Sequence, residues 1–333
     1  MQAYVLTRYG GPDAMELRDV PVPSAGAGEV LIRVRAAGLN PVDYKIRQGK
    51  LRLISRLDLP LVAGSELAGV VERIGSGVTG FAAGDRVFAR VDKKKLGAYA
   101  PYAVVEARLL ARMPQSLDFP DAAGLPLAGL TALQGLRDEL AVKPGDRVFL
   151  SAGAGGVGTL AIQLAVWLGA QVATTASANG DQLVRSLGAT TVVDYRTQKF
   201  KDVLRGYDGA FDLTGGQDLT DSFAILRPGA RTVSIAGIPD ATTARRDLAA
   251  GPVVTAVLWA AGARIHHQAR RRGVGYRYLF MHPDGADLEL LARLVDAGSL
   301  RTVTDRVFPF ERIAEAFAYL EQGRAKGKVV VQI

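Results

Sequence analysis

Apolar and polar residues alternate in short runs along the first third of the chain. Glu29-Val-Leu-Ile-Arg-Val-Arg has the two-residue period of a half-buried strand. Leu67-Ala-Gly-Val-Val-Glu-Arg-Ile predicts a second strand that ends at a Gly-Ser-Gly turn. Phe81-Ala-Ala-Gly-Asp-Arg-Val-Phe predicts a turn followed by a strand. Short strands with turn signals at this spacing point to a compact β-barrel-like domain over residues 1–120.

After a hinge predicted between Pro114 and Pro126 the pattern changes. Arg147-Val-Phe-Leu-Ser-Ala reads as a buried strand, and Thr159 to Gly169 reads as a helix. Gln171 to Ala176, Asp181 to Leu187 and Thr191 to Tyr195 continue as strand, helix and strand. Ala210 to Thr214 and Thr232 to Ala236 extend the alternation. Repeated βα units of this length predict a parallel, doubly wound α/β sheet. Towards the end the pattern departs again. Leu288 to Ala297 and Ile313 to Gln322 read as amphipathic helices, and Lys328 to Ile333 as a final strand.

Composition narrows this picture. With 333 residues, two domains are expected. A hydrophobic share of 48% against 22% charged residues is that of a folded globular chain. The absence of cysteine excludes disulfides, thiolate metal sites and a cysteine nucleophile. No signal peptide is visible, and the longest apolar stretch, Val253 to Ala263, is too short to span a bilayer, so a cytoplasmic location is expected. The formal charge is +8, but five arginines lie in the acid-free stretch Arg264 to Arg277, and without them it would be +3. The basicity is local, which weakens a general nucleic-acid reading.

The strand from Arg147 leads into Gly153-Ala-Gly-Gly-Val-Gly158, which opens a helix. In such a strand–turn–helix, Gly153 permits the tight turn, Gly155 lets the backbone approach a pyrophosphate, and Gly158 lets the helix pack on the strand. The helix N-terminus supplies free N–H groups and partial positive charge. A dinucleotide-binding site is predicted here. An NAD-selective site places an acid at the end of the second strand to hold the ribose 2′-hydroxyl. That strand ends Thr174-Thr175-Ala176-Ser177, so NADPH is favoured. Arg185 is a candidate for the 2′-phosphate if its helix turns it inward, and a solvent-facing residue otherwise.

These residues, taken with others, resemble the zinc-independent quinone oxidoreductase and enone (2-alkenal) reductase branch of the medium-chain dehydrogenase/reductases. The resemblance is carried by Ala36-Ala-Gly-Leu-Asn-Pro-Val-Asp-Tyr-Lys45, Ala63-Gly-Ser-Glu-Leu-Ala-Gly69 with Gly84-Asp-Arg-Val87, Leu127-Ala-Gly-Leu-Thr-Ala132 and Gly323-Arg-Ala-Lys-Gly-Lys328. It implies a GroES-like barrel of residues 1–120 and 275–333 and a Rossmann domain of residues 121–274, with NADPH in the cleft between them and a homodimer. It carries cofactor contacts onto Lys45, Thr131, Gly156, Val157, Ser177, Tyr195, Ile238 and Lys328. Thr175, Gly237, Leu279 and Phe280 are further cofactor-binding candidates. Zinc-dependent relatives place a cysteine where Asn40 stands and a histidine where Ser65 stands. Here Asp43 and Glu66 would be the only ligands, a poor set for zinc, so no metal is expected. A lysine at position 45, where some quinone reductases have tyrosine, places the chain nearer the enone-reducing members.

Without a metal, hydrogen bonds must polarise the carbonyl. A conjugated acceptor suits this, because hydride addition puts charge on its oxygen. Lys45 and Tyr44 are the candidate donors, with Asn40 as an orienting amide; the alternatives for Lys45 are an exposed lysine or one that contacts only the nicotinamide. Tyr44, Ile46, Leu127, Trp259 and Tyr278 to Phe280 are candidates to line the substrate pocket or to belong to the core. The main alternative within enzymes is plain quinone reduction with the protein contributing only proximity, and two readings from other classes stay open. The Arg264–Arg277 stretch could meet RNA, an anionic membrane surface or an acyl-CoA, or be a solvated helix. The protein could also sense NADPH without turnover.

Overall fold

The computed structural model describes residues 1–52, 54 and 56–333. They form two units: Met1–Leu130 with Pro283–Ile333, and Thr131–His282.

In the first unit the described residues form a seven-stranded sheet around one long strand, Glu29–Leu39. Arg33 and Arg35 face outward along it while Val30, Ile32 and Val34 are buried, as the two-residue period requires. Glu66–Ile74 runs antiparallel along one edge and is followed by Arg86–Arg90 and Leu110–Arg112. The other edge is shared. Tyr102–Glu106 covers Glu29 to Arg33, and Lys328–Gln332 covers Ala36 to Leu39. The C-terminal strand therefore completes the sheet, and Thr304–Pro309 pairs parallel to it. Leu6, Ile32, Leu39, Leu67, Tyr99, Phe317, Val329 and Val331 fill the interior.

In the second unit the described residues form a six-stranded parallel sheet. Arg147–Leu150 lies at its centre. Gln171–Ala176 and then Ala189–Asp194 extend it on one side; Tyr207–Asp212, Leu226–Ser234 and Gly275–Tyr278 extend it on the other. In order of appearance this is 3-2-1-4-5-6, the doubly wound Rossmann order, whose ligand crevice lies beyond the carboxyl ends of strands 1 and 4. Phe149, Phe223, Ile225 and Tyr276 pack in its core.

The last strand alters the expected boundary. Residues 275–278 belong to the parallel sheet rather than to the barrel unit, because Tyr276 and Tyr278 pack into the Rossmann core. The basic stretch is thereby split. Arg264, Arg270, Arg271 and Arg272 are exposed, whereas Arg277 is buried. The Arg277 guanidinium meets both oxygens of Asp247 at 2.6 and 2.7 Å and Glu139 Oε2 at 3.2 Å. Among the described residues, no helix is long and apolar enough to cross a membrane.

Arg277→Met takes the guanidinium from buried Glu139, which keeps Arg246, and from half-buried Asp247, which keeps the Phe280 N–H. We expect a cost at or below the low end of the ~3–5 kcal/mol of a fully broken buried pair, read by urea unfolding of the full chain. An unchanged unfolding midpoint would show that the network contributes nothing to stability.

Candidate active site

The glycine turn follows the central strand of the Rossmann unit. Ala152 N–H donates to Thr175 Oγ1 at 2.9 Å, and Gly153 N–H donates to Thr175 O at 3.0 Å, so the second strand pins the turn. The left-handed residue is Ala152, with φ of 52°, and not Gly153 as the motif suggests. Gly153 is required for space, since a Cβ there would overlap the Thr174 side chain. Gly158 behaves as expected: a Cβ would overlap Ala152 O, so only glycine lets the helix seat on the turn. Gly155 is the N-cap of helix Gly156–Trp167. The N–H groups of Gly156, Val157 and Gly158 in its first turn have no intrahelical acceptor. Free N–H groups at a helix start of this kind can hold a pyrophosphate.

A hub at the crevice was not legible in the motif. Asp212 ends the fourth strand and is buried. Its carboxylate accepts from Ser234 Oγ at 2.6 Å, Thr214 Oγ1 at 3.1 Å, Gly215 N–H at 3.0 Å and Ser151 Oγ at 3.4 Å. One acid thus ties together the carboxyl ends of strands 1, 4 and 5. Tyr276 acts similarly on the next loop, accepting from Ile238 N–H at 2.9 Å and donating to Ile238 O at 2.8 Å. Gly237 leaves room for that phenol.

The other candidates of this unit separate. Thr175 is buried near the end of the second strand, and Ser177 N-caps the helix Ala178–Ser186. Tyr195 is 58% exposed, with the Arg196 guanidinium over its ring. Arg185 is not turned inward; it pairs with Asp181 at 2.8 Å on the exposed helix face. Thr131 and Leu279 are buried, and Phe280 is half-buried with its N–H donating to Asp247. Of the pocket candidates, Tyr278 belongs to the Rossmann core, Ile46 to the barrel core, and Trp259 is exposed.

In the barrel unit the substrate-side motif forms the turn into helix Pro41–Arg47, with Asn40 as N-cap. Asp43 accepts the Asn40 N–H at 2.8 Å and the Tyr99 hydroxyl at 3.0 Å on one oxygen, and the Ser65 hydroxyl on the other. Burial raises the Asp43 carboxyl, and Ser65 and Arg90 oppose the rise. Glu66 has no exposed surface. Its Oε1 accepts from the Asn40 amide at 2.7 Å and Lys328 Nζ at 2.8 Å; its Oε2 accepts Leu127 N–H at 2.6 Å. Lys328 also donates to Asn40 Oδ1 and reaches Leu39 O at 3.4 Å. Its three N–H bonds are therefore all engaged inside the barrel unit, which leaves none for a cofactor in this arrangement. The Asn40 amide is engaged likewise, between Glu66 and Lys328 at the helix N-cap. Tyr44 and Lys45 are both half-buried on that helix. Burial raises the Tyr44 phenol, and burial together with Lys50 lowers the Lys45 ammonium.

The chain is 38% identical to the chloroplastic NADPH-dependent alkenal/one oxidoreductase of Arabidopsis thaliana, over 99% of this chain and 79% of that protein. It belongs to the medium-chain dehydrogenase/reductase family. Residues 26–115 match the alcohol dehydrogenase GroES-like domain and residues 187–331 the zinc-binding dehydrogenase domain. A tomato (Solanum lycopersicum) 2-methylene-furan-3-one reductase is 34% identical over 99% of this chain and 79% of its own length. The solved quinone oxidoreductase of Coxiella burnetii superposes with a TM-score of 0.85 at 32% identity, covering 100% of this chain and 99% of that one.

The zinc in that domain's name does not fit the residues present here. Among the described residues, no group of three or more His, Cys, Asp or Glu side chains is placed to hold a metal. The Glu66 carboxylate already faces an ammonium and an amide N–H, and both point at it as donors. A divalent cation would have to displace both.

Lys328→Met removes the charge opposite Glu66. Stability is expected to fall by about 3–5 kcal/mol in thermal unfolding, while dinucleotide affinity in a fluorescence titration holds. Lost affinity at unchanged stability would make Lys328 a cofactor contact instead.

Proposed function

We propose that this protein is an NADPH-dependent reductase of conjugated carbonyls, taking quinones or α,β-unsaturated aldehydes and ketones. The observation that carries this reading is the Lys328–Glu66–Asn40 cluster, in which the fully buried Glu66 carboxylate faces hydrogen-bond donors, so the reading gives carbonyl polarisation to hydrogen-bond donors as well. Relatives named as an alkenal/one reductase and a methylene-furanone reductase support the substrate class.

NADPH supplies a hydride equivalent to the acceptor. The N–H groups of Gly156, Val157 and Gly158 hold its pyrophosphate, with Gly153, Gly155 and Gly158 clearing the approach. Thr175, Ser177 and Tyr195, at or just beyond the strand ends, meet the phosphoribose. The strand Gln171–Ala176 carries no carboxylate of its own at its end to hold a ribose 2′-hydroxyl, although Asp194 lies in register beside Ala176. Lys45 donates to the carbonyl oxygen as charge builds there, and the Tyr44 hydroxyl is a second donor. The raised phenol of Tyr44 stays protonated, as a donor must. Asn40 acts through position: capped by Asp43 and clamped by Glu66, it fixes where the helix carrying both donors begins. We further propose a cytoplasmic homodimer paired through the terminal sheet strand Gly275–Tyr278, which light scattering tests.

An NADPH-oxidation screen over 1,4-quinones, 2-alkenals and enones tests the activity. Lys45→Ala is expected to lower kcat about 10²–10³-fold on accepted substrates. Because burial lowers the Lys45 ammonium, its charge is lost at a lower pH than that of a free lysine. Activity should therefore fall as pH rises through a limb below the ordinary lysine range, and Lys45→Ala should lack that limb. Full activity in Lys45→Ala on every accepted substrate rejects the assignment. Cofactor binding without turnover on any of them makes the protein a sensor.

A further inference from the structure

Helix Pro252–Arg271 is amphipathic in an unusual sense. Its inward stripe is Leu258, Gly262, Ile265 and Ala269, spaced four, three and four residues apart and buried. A surface helix carries polar residues on the opposite face. Here that face begins with Val253, Ala256, Val257 and Ala260, flanked by Trp259 and Ala263, all exposed. Val253 is 74%, Val257 58% and Trp259 66% exposed. Single exposed apolar residues are ordinary, but a contiguous patch marks a surface that binds something.

Further along the same helix the face becomes cationic. Arg264, His267 and Arg271 continue the outward stripe, and Arg270 and Arg272 lie beside it, all exposed. No acid occurs from Leu248 to Pro283. Among the described residues, none of these four arginines forms an ion pair. The surface is thus apolar at one end and positively charged at the other.

Both halves constrain the occupant. A nucleic acid would satisfy the arginines and leave the valines and tryptophan in water. A second copy related by a two-fold axis would bring eight arginines into one contact with no acid from this segment to offset them. A bilayer with anionic lipid satisfies both ends at once. Apolar side chains and tryptophan enter the boundary of headgroups and acyl chains, and arginines meet the phosphates.

We propose that the outward face of Pro252–Arg271 is an interfacial docking surface for a bilayer containing anionic phospholipid. The Val253–Ala263 half enters the interface, and Arg264, Arg270, Arg271 and Arg272 hold the headgroups. This requires no spanning segment, and it is independent of the reductase reading.

The test is co-sedimentation of the full chain with vesicles of phosphatidylcholine alone and of phosphatidylcholine mixed equally with phosphatidylglycerol. Binding is expected to the mixed vesicles only, weakening with salt, with a blue shift in tryptophan emission. Each arginine near an anionic surface contributes roughly fivefold in affinity, so Arg264→Glu with Arg271→Glu should weaken binding at least ~25-fold. Val257→Glu should weaken it while leaving the unfolding temperature and any reductase activity unchanged, since its side chain faces solvent. No binding to mixed vesicles overturns the proposal. So does vesicle binding that Val257→Glu and the arginine reversals both leave intact. Conversion of a dimer to a monomer by Val257→Glu, without vesicle binding, assigns the face to a second copy. RNA binding lost in the arginine reversals but retained in Val257→Glu, without vesicle binding, assigns it to a nucleic acid.

Discussion

A carboxylate with no exposed surface must find its compensation inside the protein, and the barrel unit is organised around that requirement at Glu66. Removing a carboxylate from water costs several kcal/mol, which returns only with good geometry and full hydrogen bonding. Glu66 obtains both from three separate places in the chain: the Asn40 amide, the Lys328 ammonium and the Leu127 N–H. Gly38 is part of the arrangement, since a Cβ there would overlap the carboxylate. The long central strand, the substrate-side helix, the helix at Pro126 and the C-terminal strand therefore meet at one side chain. Tyr44 and Lys45 inherit their positions from it, because the helix that carries them starts at Asn40.

What the sequence made legible follows from the range of the interactions. The strands of the barrel show in a period of two, and the βα units in the switch between apolar runs and helical spacing. The glycine turn shows because its constraints are local: Gly158 packs on Ala152, six residues back. The Glu66–Lys328 pair is invisible to any such pattern, since 262 positions separate its members. Arg277 is misleading for the related reason that charge alone does not report burial. It sits at the end of an exposed basic run, yet its guanidinium serves Glu139, 138 residues away. The strand Gly275–Tyr278 is hidden by the same arginines, and its two core tyrosines are the signal that finds it.

The glycine turn shows how a motif can be right about place and wrong about cause. The strained backbone belongs to Ala152, whose left-handed conformation is held by Thr175 through two hydrogen bonds. The glycine that follows is needed for volume. A substitution at Gly153 thus acts through Thr174 and the spacing of two strands, whereas one at Thr175 acts on the conformation of the turn.

Each unit holds its candidate chemistry with one buried carboxylate, and the two are compensated differently for a physical reason. Asp212 lies where parallel strands end, and the loops that leave them offer backbone N–H groups and hydroxyls not used by the sheet. Neutral donors suffice there. Glu66 begins a strand whose backbone groups are committed to its neighbours, so only side chains and a helix start can reach it. A concentrated positive charge solves that problem with one group. In a metal site a divalent ion does this and also activates the substrate. Lys328 supplies the charge from the chain itself, and the proposed reading gives the separate task of polarising a carbonyl to Tyr44 and Lys45 on the neighbouring helix.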